Sequence, residues 1–255
     1  MLQRLLLFIS VLVMLTSFSI AQQRGGGMGG PAQPKFSQSF IKLFGENKAF
    51  SADALIEVKM QESDISMPAK MAFLDGKTRL EMDTTKMKGA ALPPQALEQM
   101  KQMGMAEMVT ISRPDKKESY LVYPGLKSYA ATPDQQAATP AASEAEPKKT
   151  EIGKEKIDGK DTTKYKVVMK DDQGKDQEAT VWIASDLKNF PVRIQTVNDG
   201  VPSTITFSNV KLEKPDASSF EPPTDFQRYN DMGAMVREQM MKRMAPPAGV
   251  PAPQP

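Results

Sequence analysis

The chain has 255 residues, 40% of them hydrophobic, with 33 Lys and Arg against 31 Asp and Glu, no Cys and no His. The near-neutral balance gives no electrostatic argument for binding nucleic acid, and the missing residue types exclude disulfides, thiol nucleophiles, His-containing zinc sites and Ser-His pairs. The acidic residues fall in turns or alternate with Lys along strands, as on a solvated surface. We therefore expect no enzyme activity, no catalytic residues, no metal site, no cofactor and no nucleic-acid partner.

The N-terminal residues 1–21 have the pattern of a cleaved secretory signal peptide. Arg4 precedes an apolar run over residues 5–20, and the small residue Ala21 suits cleavage before Gln22. No Cys follows to carry a lipid anchor, and no second apolar run reaches the roughly 18 residues of a membrane span. We expect a mature protein that is periplasmic or secreted.

The next residues, 22–35, are rich in Gly and Pro, which is typical of a flexible leader. After the leader, apolar and polar residues alternate with the period of two that half-buried strands show. The runs ALIEVKM, MPAKMAFL and KTRLEMD follow one another, and Asp75-Gly76 between the last two is a strong hairpin signal. These residues predict an antiparallel meander.

Residues 93–104, PPQALEQMKQMG, predict a helix between strands. Proline starts it, Gly104 ends it, and Leu97 and Met100 share one side. Strands resume with EMVTISRP and KESYLVYP, after which Pro124-Gly125 suits the centre of a type II turn. Residues 131–150 then carry Ala, Pro, Thr and Glu without apolar periodicity, and so predict a disordered insert.

Five more strand-like runs follow the insert. They are EIGKEKIDGKD, TTKYKVVMK, EATVWIAS, PVRIQTV and PSTITFSNVKL. Asp-Gly and Gln-Gly pairs separate most of them at the spacing of an antiparallel sheet, and the whole chain gives about nine or ten strands.

The end of the last strand has its own pattern. Ile205 and Phe207 have the opposite parity to Val210, which predicts a bend or bulge near Ser208-Asn209. Pro215 ends the ladder because proline cannot donate a hydrogen bond. Phe220 is then expected to fold back as an apolar plug, and the two prolines that follow to block further pairing at that edge.

The C-terminal region predicts a Met-rich amphipathic helix over residues 229–244, preceded by Asp225 as a cap and followed by a disordered Pro-rich tail at 245–255. We expect its apolar stripe to pack on its own domain or on a partner protein. Docking on an anionic membrane through the flanking basic residues is the alternative. The stripe consists of Phe226, Tyr229, Met232, Val236, Met240 and Met244.

The order of these motifs carries a family resemblance. FLDGKTRLEMD, YLVYPGLKSY, VWIASDLKNFPVRIQT and ITFSNVKLEKPDASSFEPP resemble the LolA/LolB-like outer-membrane lipoprotein carrier superfamily, and most closely an uncharacterised bacterial domain-of-unknown-function family of that fold. The match covers residues 36–228 apart from the insert. Arg79 stands where the carriers often have an Arg after this turn.

The resemblance implies a mainly β fold with helices (α+β). This is a strongly curved antiparallel half-barrel with one helical excursion and a C-terminal amphipathic helix, in which helices cover the concave face. In the true carriers the cavity between sheet and helices receives acyl chains. The insert and the Met-rich C-terminal helix depart from the carriers.

Two functions fit this sequence. The first is an exported, non-catalytic binding protein of the bacterial envelope that holds a lipid, lipoprotein or other apolar ligand in the half-barrel cavity. The second is an envelope structural or interaction protein with a filled core, which acts through its insert or C-terminal helix. A cavity of several hundred cubic ångströms lined by Met and aromatic residues would favour the first, and a solid core the second.

The expected partners are an apolar ligand or a lipoprotein acyl chain, with contact to a membrane surface or an envelope protein as a further option, and we expect a monomer. Alternation along the strands places the candidate ligand-binding residues on one face. Trp182 has the opposite parity to Val181 and Ile183, so the sequence leaves its facing open. The candidates are Met71, Phe73, Leu80, Met82, Leu97, Met100, Trp182 and Phe207.

Overall fold

A computed structural model describes residues 38–60, 64–89, 93–134, 146–170, 175–198 and 200–244, and within these ranges the chain is mainly β. The predicted signal peptide, leader and Pro-rich tail lie outside them. The α-helices are α1 (Gln38–Lys42), α2 (Pro94–Gln102) and α3 (Met232–Met244). The strands are β1 (Ala49–Lys59), β2 (Asp64–Leu74), β3 (Lys77–Asp83), β4 (Glu107–Arg113), β5 (Glu118–Tyr123), β6 (Ser128–Pro133), β7 (Lys148–Ile157), β8 (Lys160–Lys170), β9 (Asp176–Ala184), β10 (Phe190–Asn198), β11 (Val201–Lys211) and β12 (Gln227–Tyr229).

The twelve strands of the described residues form one curved, open sheet in the order β12-β6-β5-β4-β3-β2-β1-β11-β10-β9-β8-β7. Strands β1 to β6 form an antiparallel meander, as do β7 to β11, and β1 pairs with β11 to join the two halves. β12 runs parallel to β6. The predicted meander is therefore confirmed, with one parallel pair added at its end.

The predicted count of nine or ten strands is too low. β12 has three residues, so it carries no alternation that a period of two could reveal. β6 also continues through the first three residues of the predicted insert, and β7 takes its last three. Residues 135–145 lie outside the described residues, and the disorder predicted for the insert stays a prediction for them.

One face of the sheet, called the main face below, carries the largest cluster of buried apolar side chains. Cross-strand partners share a face, so the pairing of the strands defines its rows. One row contains Ile194, Ile205, Ile56 and Met67, and the next contains Phe207, Ala54, Ala69, Met82 and Met108. Every side chain in these rows is buried.

The opposite face, called the outer face, carries a smaller apolar cluster over β4 and β5, built on Val109, Ile111 and Val122. Phe220 reaches it from the 3-10 turn Ala217–Phe220 that follows β11, and its side chain is 0% exposed. The apolar plug predicted from the sequence is therefore confirmed.

Two arginines hold this turn against the sheet. Arg79 Nη1 donates to the carbonyl oxygen of Ser219 at 2.8 Å, and Arg113 Nη1 donates to that of Phe220 at 3.4 Å. Arg113 is buried and also pairs with Asp115 and Glu221. Its hydrogen bonds to Asp115 lower the pKa of that carboxyl to about 2.

Two of the turn predictions are confirmed. Asp75 and Gly76 both have positive φ, 48° and 87°, as the tight hairpin between β2 and β3 requires. β11 has a bulge opposite β1, because Ser51 pairs with Lys211 while Asp53 pairs with Ser208, and Asn209 inside the bulge has φ 50°.

The type II turn predicted at Pro124-Gly125 is wrong. Pro124–Leu126 is a 3-10 turn that ends at Lys127 with φ 46°, and Gly125 does not take a positive φ. Glycine is needed here for space, since a Cβ on Gly125 would lie 2.6 Å from the carbonyl oxygen of Gly104. The turn thus packs backbone to backbone on the segment after α2.

The C-terminal helix is shorter than predicted. α3 begins at Met232, and its cap is Asp231 rather than Asp225, since the Asp231 carboxylate accepts a hydrogen bond from the backbone N–H of Ala234 at 2.7 Å. Residues 227–229 belong to β12 instead, so Tyr229 lies in a strand.

The apolar stripe predicted for this helix is divided between two faces. Tyr229, Met232 and Val236 contact the main-face cluster, whereas Phe226 contacts the outer-face cluster. Met235, which the stripe did not include, is fully buried. The side chains of Met240 and Met244 lie outside the described set.

Candidate functional site

Five of the predicted ligand-binding residues come together on the main face. Met71 and Phe73 lie on β2, Leu80 and Met82 on β3, and Phe207 on β11. Their side chains are 2 to 3% exposed and belong to one cluster. The alternation in the sequence therefore identified a continuous apolar surface, which other parts of the chain cover.

Helix α1 and the turn after it cover part of the main face. Phe40, Leu43 and Phe44, from α1 and the turn after it, are all buried in the main-face cluster. The spacing of these residues, i, i+3 and i+4, puts them on one side of a helical turn. α1 therefore lies with its apolar side against the sheet.

The Phe44 ring occupies a nest of four phenylalanines from the sheet. Its ring centroid lies 4.7 Å from that of Phe50, 5.5 Å from Phe190, 5.7 Å from Phe207 and 6.2 Å from Phe73. These are the separations of favourable aromatic pairs. We call these four residues the Phe nest.

Polar contacts anchor the end of the α1 segment. The Asn47 side-chain amide donates to the carbonyl oxygens of Phe44 at 3.0 Å and of Lys188 at 3.2 Å. Lys42, which is half-buried, forms an ion pair at 3.6 Å with the exposed Glu146, and an ion pair with a solvated partner adds little stability. Burial of apolar side chains in the Phe nest is thus the main force that holds α1.

The methionines of the main face lie beside the Phe nest. Met67, Met71, Met82 and Met108 come from three adjacent strands and are buried there. Unbranched and polarisable, Met side chains repack readily around apolar groups of different shape. This face combines a rigid aromatic part with an adaptable one.

The two predicted residues of α2 do not join this cluster. Leu97 and Met100 are half-buried, and no residue of α2 is fully buried. The helix contacts the 3-10 turn Thr84–Lys86 that follows β3. The ligand-binding role predicted for Leu97 and Met100 stays a prediction.

Trp182 has charged neighbours. It lies on β9 directly opposite Lys164 on one side and Arg193 on the other, so it shares their face, whereas its neighbour Val181 pairs with Ile194 on the main face. Lys164 Nζ lies 4.8 Å from the indole centroid and the Arg193 guanidinium 5.9 Å, and both are in cation–π range.

The indole N–H of Trp182 donates to Glu155 Oε2 at 2.7 Å. The ring is 5% exposed and also contacts buried members of the main cluster. The charged partners satisfy its polar atom and cover its face. Trp182 therefore projects from the side of the sheet opposite to the five clustered candidates, although it contacts the same buried cluster, and its ligand-binding role stays a prediction.

Polar side chains also lie within the main-face region. Tyr123 Oη donates to the sulfur of Met108 at 3.7 Å, and burial raises the pKa of the phenol to about 12. Thr110, paired across the sheet with Leu80 and Leu121, has a buried hydroxyl without a hydrogen-bond partner among the described residues. Burial keeps Tyr123 protonated at neutral pH.

Within the described ranges, His, Cys, Asp and Glu residues do not come together in groups of three or more that could hold a metal ion. Of the described helices, none has the length and apolar content that a membrane span requires.

Sequence reasoning missed Phe44, Phe50 and Phe190. A signal for Phe44 was present, since FIKLF at residues 40–44 has the apolar spacing of a helical turn. The turn is too short to stand out as a helix, and the relation of the three residues to Phe207 depends on the pairing of distant strands.

Comparison with known proteins gives only distant matches. No family model and no curated protein matches the chain. Among solved structures, a LolA superfamily protein from Nitrosomonas europaea is 10% identical, with 72% of this chain and 94% of that chain covered and a TM-score of 0.36. The lipoprotein LppX from Mycobacterium tuberculosis is 14% identical, with 68% and 91% covered and a TM-score of 0.39. The MucA/MucB complex from Pseudomonas aeruginosa is 12% identical, with 74% and 62% covered and a TM-score of 0.40.

The first of these structures carries the name of the LolA superfamily, which the sequence motifs also resemble. Identities of 10 to 14% and TM-scores below 0.5 carry no argument about the function of this chain.

Proposed function

We propose that this protein is an exported, non-catalytic binding protein of the bacterial envelope whose ligand is an apolar chain, such as that of a lipid or a lipoprotein. The ligand binds on the main face, against the Phe nest and the neighbouring methionines. The observation that carries this proposal is the position of Phe44, whose ring fills the Phe nest from the turn that follows the short helix α1. An acyl chain placed there would meet the same apolar surface.

α1 is suited to leave this position. A helix of five residues is not stable by itself in water, so α1 persists through its contacts with the sheet. Short segments held by few side chains open at a lower cost than the whole domain. A ligand that buries a similar apolar area in the Phe nest offsets most of what is lost when Phe44 leaves.

The methionines support a ligand of variable shape. Met71 and Met82 lie on β2 and β3 within the same buried cluster as Phe73. Surfaces of this composition adapt to different apolar groups, whereas a core of branched residues fits one shape. Acyl chains of different length are the ligand class that makes use of this property.

A second candidate function is an envelope structural or interaction protein whose sheet is a filled scaffold. The observation that favours it is the near-complete burial of the five clustered candidates, which α1 and α3 help to cover. In that case α1 is a permanent part of the core, and partners bind elsewhere on the chain.

One experiment separates the two functions. The mature protein is purified from the envelope of its native host and analysed by native mass spectrometry for bound lipid, and the delipidated protein is then titrated with a fluorescent fatty acid. The binding function predicts a lipid adduct or saturable uptake with a stoichiometry of one. A protein that carries no lipid and takes up no fatty acid is a filled scaffold.

The titration has a matched control. Phe44→Ala vacates the Phe nest, and Phe220→Ala removes an equally buried phenylalanine from the outer-face cluster. Binding at the main face predicts tighter fatty-acid binding in the first variant and unchanged binding in the second. Equal effects would mean that the probe detects loosened packing and not this site.

A further inference from the structure

A groove of about 630 Å³ lies on the outer face of the sheet, across β3, β2, β1 and the bulged end of β11. Its volume is within the range of small-molecule sites. The bulge of β11 lies at this groove, because its extra residue falls between the pairs Asp53–Ser208 and Ser51–Lys211, and Asn209 lines the groove.

Two cross-strand rows form the floor of the groove. The first row contains Arg79, Ala72, Ser51 and Lys211, in that order across four strands. Two small residues therefore lie between two long cations whose Cα atoms are three strand spacings, about 14 Å, apart. The second row contains Glu81, Lys70, Asp53 and Ser208.

The carboxylates of the groove already have partners. Glu81 accepts from Arg79 Nε at 2.7 Å, and Asp53 accepts from the Asn209 amide at 2.7 Å. In the described part of the chain, Lys70 and Lys211 are exposed and have no ion pair, although Lys70 lies opposite both carboxylates across the strands. Three cations therefore line the groove against two carboxylates, and Lys211 of the first row is one of the two cations without an ion pair among the described residues.

The Arg79 guanidinium is held in place by two hydrogen bonds. Its Nε bonds Glu81, and its Nη1 bonds the carbonyl oxygen of Ser219 at 2.8 Å, which leaves Nη2 without a hydrogen bond among the described residues. A guanidinium fixed by two bonds loses little freedom when it binds an anion.

We propose that the groove binds a phosphate group, seated over Ala72 and Ser51 between Arg79 and Lys211. Arg79 donates from Nη2, the Lys211 ammonium donates from the opposite wall, and the Ser51 hydroxyl donates from the floor. The small side chains let the anion approach the sheet, where both cations reach it. The phosphate comes from a lipid head group or is free inorganic phosphate, and the two sources present the same chemistry.

The test uses the mature protein and two probes. In the first experiment the protein is titrated with inorganic phosphate, and amide chemical shifts report binding. In the second, the protein is floated with vesicles made either of equal amounts of phosphatidylglycerol and phosphatidylcholine or of phosphatidylcholine alone. The variant is Lys211→Glu. The control is Lys59→Glu. Lys59 is exposed, lies on the same face of β1 as Ser51, and does not line the groove. A second variant, Ser51→Leu, fills the floor without a change of charge.

We expect Lys211→Glu to weaken binding roughly ten- to a hundredfold, as does the loss of a hydrogen bond to a charged group. Ser51→Leu should act similarly, and Lys59→Glu should leave binding near that of the wild type. Binding to phosphatidylglycerol vesicles assigns the lipid source, and binding to inorganic phosphate alone assigns the free ion. The proposal is overturned if neither probe binds, or if Lys59→Glu and Lys211→Glu weaken binding equally.

Discussion

Replacing Phe44 by Ala tests what α1 contributes to the fold. The ring is 1% exposed and contacts four phenylalanines of the sheet and Phe40 of α1. Truncation of a phenylalanine in such a site costs about 3 to 5 kcal/mol in the free energy of unfolding. If the Phe nest stays open, the cost lies at the upper end, because a cavity remains.

Urea denaturation followed by circular dichroism measures this change, with the slope of the transition as a check that both proteins unfold alike. For a domain of about 200 residues, 3 to 5 kcal/mol corresponds to a fall in Tm of roughly 6 to 20 °C. Ile41→Ala is the internal control, since Ile41 lies on the same helix but is only half-buried, and its loss should cost clearly less.

A bound fatty acid should change the measured stability of the Phe44→Ala variant. A saturating fatty acid should restore much of the stability lost in Phe44→Ala, because a ligand that binds the folded state stabilises it by mass action. The reasoning is refuted if Phe44→Ala costs under about 1 kcal/mol, the level of an ordinary surface change. It is also refuted if the fatty acid stabilises the wild type and not the variant.

Four further predictions concern other parts of the fold. Gly125→Ala should lower Tm strongly, because its Cβ would lie 2.6 Å from the carbonyl oxygen of Gly104, and thermal melts measure this. Burial raises the pKa of Tyr123 to about 12, so its contribution to stability is full below pH 10 and lost as pH rises to 12, and Tyr123→Phe should flatten this alkaline loss in urea titrations. The hydrogen bonds from Arg113 lower the pKa of Asp115 to about 2, so its contribution is present above about pH 4 and lost as pH falls through 2, a loss that Asp115→Asn should remove. Replacing residues 135–145 with a Gly-Ser linker of equal length should leave Tm nearly unchanged, and a clear fall would show that the insert packs on the sheet.

The sequence predicted the sheet well because alternation is a local signal. Met71 and Phe73 have the same parity on β2, and the hairpin at Asp75-Gly76 sets how β3 pairs with it, so their shared face followed from adjacent residues. The bulge at Asn209 was predicted for the same reason. Within β11 the apolar residues change from odd to even positions, from Phe207 to Val210, and this change is visible in the sequence.

Features that depend on distant parts of the chain were not predictable in this way. The spacing of the apolar residues predicts that Tyr229 lies in a helix, but its pairing with β6 places it in a strand. The pair Pro124-Gly125 predicts a type II turn, but Gly125 is required because the backbone of Gly104 leaves no space for a Cβ. The parity of Trp182 was visible, but its partners Lys164 and Arg193 come from two other strands and became evident only with the pairing of β8, β9 and β10.

The candidate site was predicted in part. The five strand residues on the main face follow from alternation, whereas Leu97 and Met100 share a helix side that the fold leaves half-buried. α1 was missed because one helical turn next to a Gly-rich leader has too few residues to show a period. The nest around Phe44 therefore required the three-dimensional structure.

Hydrogen exchange of residues 38–47 tests the central claim most directly. Amides of this segment are followed by mass spectrometry in the delipidated protein, with and without a saturating fatty acid. If the ligand takes the place of Phe44 in the Phe nest, these amides should exchange faster in the bound protein while those of β1, β2 and β11 exchange equally or more slowly. Unchanged or slower exchange over residues 38–47 with the fatty acid bound would contradict the account, because α1 would then remain on the main face.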